Sequence, residues 1–301
     1  MESAYSMQTR KLGGTDIEIS PIAWGMWRFC GDDVNAAQSR VEAALDAGIT
    51  LFDTADIYGP DNGEPFGSAE ALLGRVFQQA PSLRQRMVLA TKGGIRMGVP
   101  YDSSAAYLRA AIDASLSRLG TERVELWQIH RPDILAHPQE VARTLEAAHQ
   151  AGKTAAIGVS NFSVAQTAAL THFLTVPLAS QQPEFSPLFL EPAQNGLLDQ
   201  AMVLGLTVLA WSPLGGGRLG RPNDERSRAI AALLDAKAME AGVERAAATY
   251  SWIMAHPSRP IPIAGTQNLD RIAAIPQAFQ VEWNRQEWYR VFETSLGEKL
   301  P

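Results

Sequence analysis

Short apolar runs alternate with longer segments whose apolar residues recur at spacings of three and four. In VNAAQSRVEAALDAG, Val34, Ala37, Val41, Ala44 and Leu45 share one helical face. Asp33 stands where an N-cap belongs and Gly48 where that helix should stop. Strand-like runs fall at 19–24, 51–53, 87–92, 124–130, 155–160, 178–182, 206–210 and 261–264. Helical patterns lie between them, near 68–77, 103–119, 139–150, 164–173, 197–204, 226–241 and 246–254. Strict alternation implies parallel strands joined by crossover helices. Eight such units predict an α/β (β/α)8 TIM barrel, with a doubly wound sheet as the alternative. No Pro- or Ser-rich linker interrupts the pattern, so residues 1–301 read as one domain. Two pieces look added. Residues 9–20, with Gly13 and Gly14 between short polar strands, predict an N-terminal hairpin that plugs the barrel floor. Residues 282–296 predict an extra C-terminal helix.

Composition narrows the function classes. Of 301 residues 46% are hydrophobic, enough for a large core. The formal net charge of -6 lacks the basic bias of a nucleic-acid binder. One cysteine, Cys30, excludes an internal disulfide and suits a reducing compartment. No run approaches the roughly 20 apolar residues of a membrane span, and MESAYSMQTRKLGG has no signal-peptide core. The expectation is a cytoplasmic protein acting on a small molecule, with no nucleic-acid or membrane partner.

In a barrel of this kind function sits where strands end. Asp53 ends the second strand, and Tyr58 follows in the turn. Lys92 ends the third, His130 the fourth, Ser160 and Asn161 the fifth, and Gln182 the sixth. Taken singly, each has an ordinary explanation: an ion pair for Lys92, packing for Tyr58, a cap for His130 or Asp53. Together, at successive strand ends, they describe proton transfer. A free phenol is a weak acid at neutral pH, and a neighbouring ammonium makes its proton easier to give up. Asp53 would neutralise Lys92, Lys92 would tune Tyr58, and His130 would donate to a substrate oxygen. Reduction of a carbonyl by hydride needs such a general acid.

DTADIYG, ATKGG, QIHRPD, GVSNF, SQQPEFSP, AWSPLGGGRL and IPIAGTQNLDRI occur in one order from Trp24 to Ile272. This set resembles the aldo-keto reductase superfamily. HRPD and WSxLGGGRL make it look nearest to an uncharacterised bacterial oxidoreductase branch. The resemblance implies a barrel that binds NADPH in an extended form. It implies a catalytic tetrad of Asp53, Tyr58, Lys92 and His130, with Tyr58 the proton donor. It places Ser160, Asn161 and Gln182 at the nicotinamide carboxamide and Trp211 against the nicotinamide ring. Gly25 and Met26 match a cofactor-lining loop. Ser212, Leu214, Gly215 and Arg218 match the pyrophosphate loop. Thr266, Gln267, Asn268 and Arg271 match the adenosine end. The family often carries a cation near Gly265. Here the stretch is Gly-Thr-Gln-Asn, which leaves Arg271 as the clearest partner for a 2′-phosphate and favours NADPH over NADH. Residues 215–220 also fit G-x-G-x-x-G, but Arg221-Pro222-Asn223-Asp224 follows where a dinucleotide-binding helix should open.

Trp27 and Trp127 stand near the expected mouth and predict an apolar wall of the substrate pocket beside Tyr58 and His130. The remaining histidines show no metal-ligand spacing. Two rival functions share the fold. One is a Schiff-base lyase with Lys92 as nucleophile. The other is a non-catalytic, NADP(H)-sensing regulatory subunit.

Overall fold

The computed structural model describes residues 7–301. The signal-peptide reading falls partly on residues 1–6, outside the described residues. The strands are β1 (Arg10–Lys11), β2 (Glu18–Ile19), β3 (Ala23–Gly25), β4 (Leu51–Asp53), β5 (Val88–Gly93), β6 (Ile95–Arg96), β7 (Val99–Tyr101), β8 (Val124–Ile129), β9 (Thr154–Ser160), β10 (Leu178–Gln182), β11 (Thr207–Ala210) and β12 (Ile261–Ala264). The helices are α1 (Val34–Asp46), α2 (Ser68–Gln79), α3 (Ser82–Gln85), α4 (Ala105–Leu119), α5 (Pro138–Gln150), α6 (Val164–Phe173), α7 (Glu191–Gln194), α8 (Leu197–Leu204), α9 (Glu225–Ala241), α10 (Arg245–Met254), α11 (Leu269–Ala274) and α12 (Arg285–Leu296).

Eight strands close a parallel barrel in the order β3-β4-β5-β8-β9-β10-β11-β12, which decides against the doubly wound sheet. Asp33 caps α1, accepting from the backbone N–H of Asn35 at 2.9 Å and Ala36 at 3.1 Å. The expected first strand, 19–24, is split. Ile19 pairs in the β1–β2 hairpin, Pro21 has no N–H to give a ladder, and the barrel strand starts at Ala23. The β6–β7 hairpin after β5 was not anticipated.

The N-terminal hairpin does close the floor. Leu12 and Ile19 pack with Ala23, Leu51, Ala90, Leu126, Ala179 and Leu209 inside the barrel. Gly13 has φ +55° and lies so close to β10 that a Cβ would stand 2.5 Å from the Ala179 carbonyl oxygen. Only glycine combines that conformation with that approach.

Strand period then fixes the layers. Above the apolar layer, the next inward positions are Asp53 on β4, Lys92 on β5, Gln128 on β8, and Gly158 and Ser160 on β9. Gly158 leaves room for its neighbours: a Cβ there would fall 2.1 Å from Ser180 Oγ and 2.9 Å from Gln128 Cγ. Gly158→Ala is therefore expected to destabilise by about 1–3 kcal/mol. Urea unfolding should show a lower midpoint at unchanged slope; an unchanged midpoint would mean the interior yields there. Among the described residues no helix is long and apolar enough to cross a membrane.

Candidate active site

The upper layer of the barrel is a buried polar network. Lys92 is fully buried, and its Nζ donates to Asp53 Oδ2 at 2.6 Å and to the Thr54 carbonyl oxygen at 2.9 Å. Asp53 Oδ1 accepts from Gln182 Nε2 at 2.9 Å. Ser180 Oγ donates to Gln128 Oε1 at 3.1 Å. Burial opposes the Lys92 charge, yet Asp53 and Tyr58 more than offset it, and its pKa is raised. Behind it, Thr91 Oγ1 donates to Glu70 Oε1 at 2.5 Å, and Arg118 Nε donates to the other Glu70 oxygen at 2.8 Å. Buried Asp56 is pushed well above the usual carboxylate range by burial and by Glu70. Asp53 is thus the carboxylate that neutralises Lys92.

Tyr58 is set by a turn after β4, closed by its N–H to the Ala55 carbonyl oxygen at 3.2 Å. Lys92 Nζ stands 5.2 Å from the centre of its ring. The His130 ring meets the Tyr58 ring edge-on, 5.9 Å between centres. Burial pushes the phenol pKa up, and the opposing pull of Lys92 does not overcome it. The pull of Lys92 acts in the expected direction, toward easier proton release, but burial outweighs it. Lys92 only limits the rise, and the hydroxyl keeps its proton at neutral pH. Burial, then Lys92 and Arg131, hold His130 well below its usual range, so the imidazole is neutral. Its buried Nδ1 has no hydrogen-bond partner among the described residues.

These groups open onto a long cleft of about 1310 Å³. Its wall includes Gly25, Met26, Trp27, Asp53, Tyr58, His130, Ser160, Asn161, Gln182, Trp211, Ser212, Leu214, Thr266, Gln267, Asn268 and Arg271. Sequence-distant candidates thus meet in one place. Lys92 lies just behind the wall. Asn161 (φ +59°) ties several of them together. Its Nδ2 donates to the His130 carbonyl oxygen at 3.1 Å and to Ser160 Oγ at 2.8 Å, and its Oδ1 accepts from Trp211 Nε1 at 2.9 Å. A non-glycine residue held in that backbone region is a feature that clusters at functional sites.

Besides Lys92, three expected site residues do not reach the cleft. Trp127 is 1% exposed and packs among the helices outside the barrel. Since Leu126 faces inward, alternation turns Trp127 outward. Gly215 is buried, a Cβ there falling 2.6 Å from Leu188 Cδ1. Gly216 and Gly217 line the wall instead. Arg218 turns away, its Nε donating to the Gly215 carbonyl oxygen at 3.3 Å, with Asp224 3.9 Å from Nη1. Several residues of the wall had no signal strong enough to select them: Arg28, Arg131, Arg221, Arg245 and Tyr250. Arg28 Nη1 comes within 4.0 Å of where a Cβ on Gly265 would stand. Arg245 is already engaged, holding Asp235 through both oxygens at 2.6 Å. Among the described residues no cluster of three His, Cys, Asp or Glu is placed to hold a metal ion.

The closed parallel barrel, with its polar layer opening into a long cleft at the strand ends, defines a TIM-barrel oxidoreductase. The chain belongs to the aldo/keto reductase family, whose sequence model matches residues 21–295. It is 57% identical to the 6-dehydroglucose reductase of Novosphingobium aromaticivorans, over 97% of this chain and 97% of that protein. The 6-dehydroglucose reductase of Agrobacterium fabrum is 35% identical, over 94% and 97%. Oxidoreductase YdhF of Escherichia coli is 35% identical, over 94% and 96%. The crystal structure of a thermostable aldo-keto reductase, Tm1743, with the inhibitor epalrestat shares the fold. Its TM-score is 0.81 at 22% identity, over 96% of this chain and 100% of that one.

Proposed function

We propose that this protein reduces aldehydes or ketones to alcohols with NADPH, and that its substrate is a sugar aldehyde of the 6-dehydroglucose type. The observation that carries the reaction is the buried Lys92–Asp53 pair at 2.6 Å beside the phenol of Tyr58. The sugar comes from the 57% identical relative, whose name specifies it.

The cleft fits a bound dinucleotide. Small-ligand pockets commonly span about 300–1,000 Å³, and 1310 Å³ leaves room for cofactor and substrate side by side. Gln267 Oε1 is buried and unpartnered among the described residues. Arg28, Arg221 and Arg271 add positive charge to the wall, as an anionic cofactor requires. Ser160, Asn161, Gln182 and Trp211 would hold the nicotinamide end. Ser212, Leu214 and the glycines at 216 and 217 would hold the phosphates. Thr266, Gln267, Asn268 and Arg271 would hold the adenosine end. When bound, NADPH supplies hydride to the carbonyl carbon. Tyr58 gives its proton to the oxygen as negative charge builds there. Neutral His130 donates a hydrogen bond that orients the same oxygen. Lys92 stabilises the phenolate left behind, and Asp53 keeps Lys92 charged. A Schiff-base role for Lys92 fits poorly, because its nitrogen is fully buried and ion-paired.

The test is NADPH oxidation by the purified protein with 6-dehydroglucose and with a panel of simple aldehydes and ketones. Turnover with the sugar aldehyde is expected. Tight NADPH binding without turnover on any carbonyl would favour the sensing subunit instead. Cofactor choice has its own test. Arg271→Ala is expected to weaken NADPH about 10- to 100-fold, the range for a hydrogen bond to a charged group, with little effect on NADH. Equal losses in a fluorescence titration would remove Arg271 from the 2′-phosphate.

A further inference from the structure

Around Tyr58 the cleft wall carries more than the proposed proton-transfer groups. Trp27 is 42% exposed, yet its ring is fixed. Its Nε1 donates to Asp61 Oδ2 at 2.9 Å, and its carbonyl oxygen accepts from Asn62 Nδ2 at 2.6 Å. Arg131 follows His130 in the chain and lines the same cleft. Its Cζ lies 5.6 Å from the centre of the Trp211 ring. Its guanidinium lines the cleft without a side-chain hydrogen bond or ion pair among the described residues. Such a cation carries five donors and no acceptor, and a half-buried one normally finds a partner. Asp61, the carboxylate that holds Trp27, lines the same cleft.

We infer that Arg131 is a substrate-binding, specificity-determining residue that donates to hydroxyl oxygens of a neutral polyhydroxylated aldehyde, while the fixed Trp27 ring packs against its C–H face. This rests on the sugar-aldehyde reading above and adds the residues that select within it. The chemistry favours a neutral polyol over an anion because the Asp61 carboxylate that holds Trp27 lines the same cleft and would repel a second negative charge there. It favours a polyol over a purely apolar carbonyl because an apolar group would leave those donors unpaired in the cleft, a costly arrangement. Trp27 is held before substrate arrives, which reduces the ordering cost of binding.

The experiment compares full-length wild type with Arg131→Met and Arg131→Lys. Three substrates are used: 6-dehydroglucose, benzaldehyde, and the anionic succinic semialdehyde. Binding of glucose, the alcohol product, to the NADP+-loaded protein is followed separately by tryptophan fluorescence. For Arg131→Met, the ratio of kcat/KM for the sugar aldehyde to that for benzaldehyde should fall about 10- to 100-fold, mostly through KM. Glucose binding should weaken by a similar factor. Arg131→Lys should restore part of both, because an ammonium still donates. Equal losses on sugar aldehyde and benzaldehyde, with unchanged glucose binding, would overturn the assignment. So would a loss confined to succinic semialdehyde, which would make Arg131 an anion-binding residue. The sugar-aldehyde reading fails differently: the wild type itself would then show no preference for 6-dehydroglucose over benzaldehyde. In that event, glucose binding alone decides whether Arg131 holds hydroxyls.

Discussion

Tyr58→Phe should lower kcat for carbonyl reduction by about 10²–10⁴-fold, the range a positioned general acid contributes. The ring, its edge contact with His130 and its packing over Lys92 are all kept. Only the hydroxyl is lost, so cofactor affinity should change by no more than about 2-fold, less than one typical hydrogen bond. Rapid-mixing measurement of the first turnover separates the chemical step from product release. A variant that keeps substantial first-turnover rate would show that another group protonates the oxygen. The pH dependence gives a second handle. Burial raises the Tyr58 pKa above 10 and depresses His130 below 6.5. Lowering the pH through 6.5 therefore does not charge His130, and raising it to 9 does not strip Tyr58. Wild-type reduction should run flat from about pH 6.5 to pH 9, where the two groups' ordinary values alone would put an inflection near the lower end. An inflection near 6.5 would show a charged His130 in the reacting complex.

The barrel was legible because its strands carry a signal that survives without an alignment. Apolar runs of three to seven residues alternate with helices whose buried stripe recurs at helical spacing, and polar residues stand at the strand ends. That last fact also located most of the cleft wall, since strand ends converge on one face. What failed was parity. Trp127, aromatic and near a strand end, reads from the sequence as a wall of the pocket. Lys92 and His130, if they point inward, already require Gln128 inward and Trp127 outward, one residue out of phase. Hairpin β6–β7 escaped because two- and three-residue strands have no period to read. Arg28, Arg131 and Arg245 escaped because each sits outside a barrel strand, where sequence spacing carries no distance. Gly215 and Gly216 are adjacent and chemically identical. Only the backbone path decides that one packs on Leu188 while the next lines the cleft.

Lys92→Met should damage stability and turnover together, and the two losses can be separated. Met nearly matches the length of the lysine stem but brings no charge. Asp53, 2% exposed, would be left buried without its cation, retaining a single strong donor in Gln182 Nε2. Breaking a buried pair from one side costs about 3–5 kcal/mol, visible as a lower urea midpoint. Adding Asp53→Asn removes the stranded charge while keeping the shape. The Asn amide can still accept from Gln182 Nε2 through its oxygen, but its Nδ2 then faces the methionine side chain without an acceptor, so recovery should be partial, on the order of half the loss. Turnover should not recover. Without the ammonium the phenolate formed on proton donation has no counter-charge, and kcat should stay down by about 10²–10³-fold in both variants. If the double variant regained activity along with stability, the pair would be a structural strut of the upper barrel layer, and the proton would reach the substrate without help from Lys92.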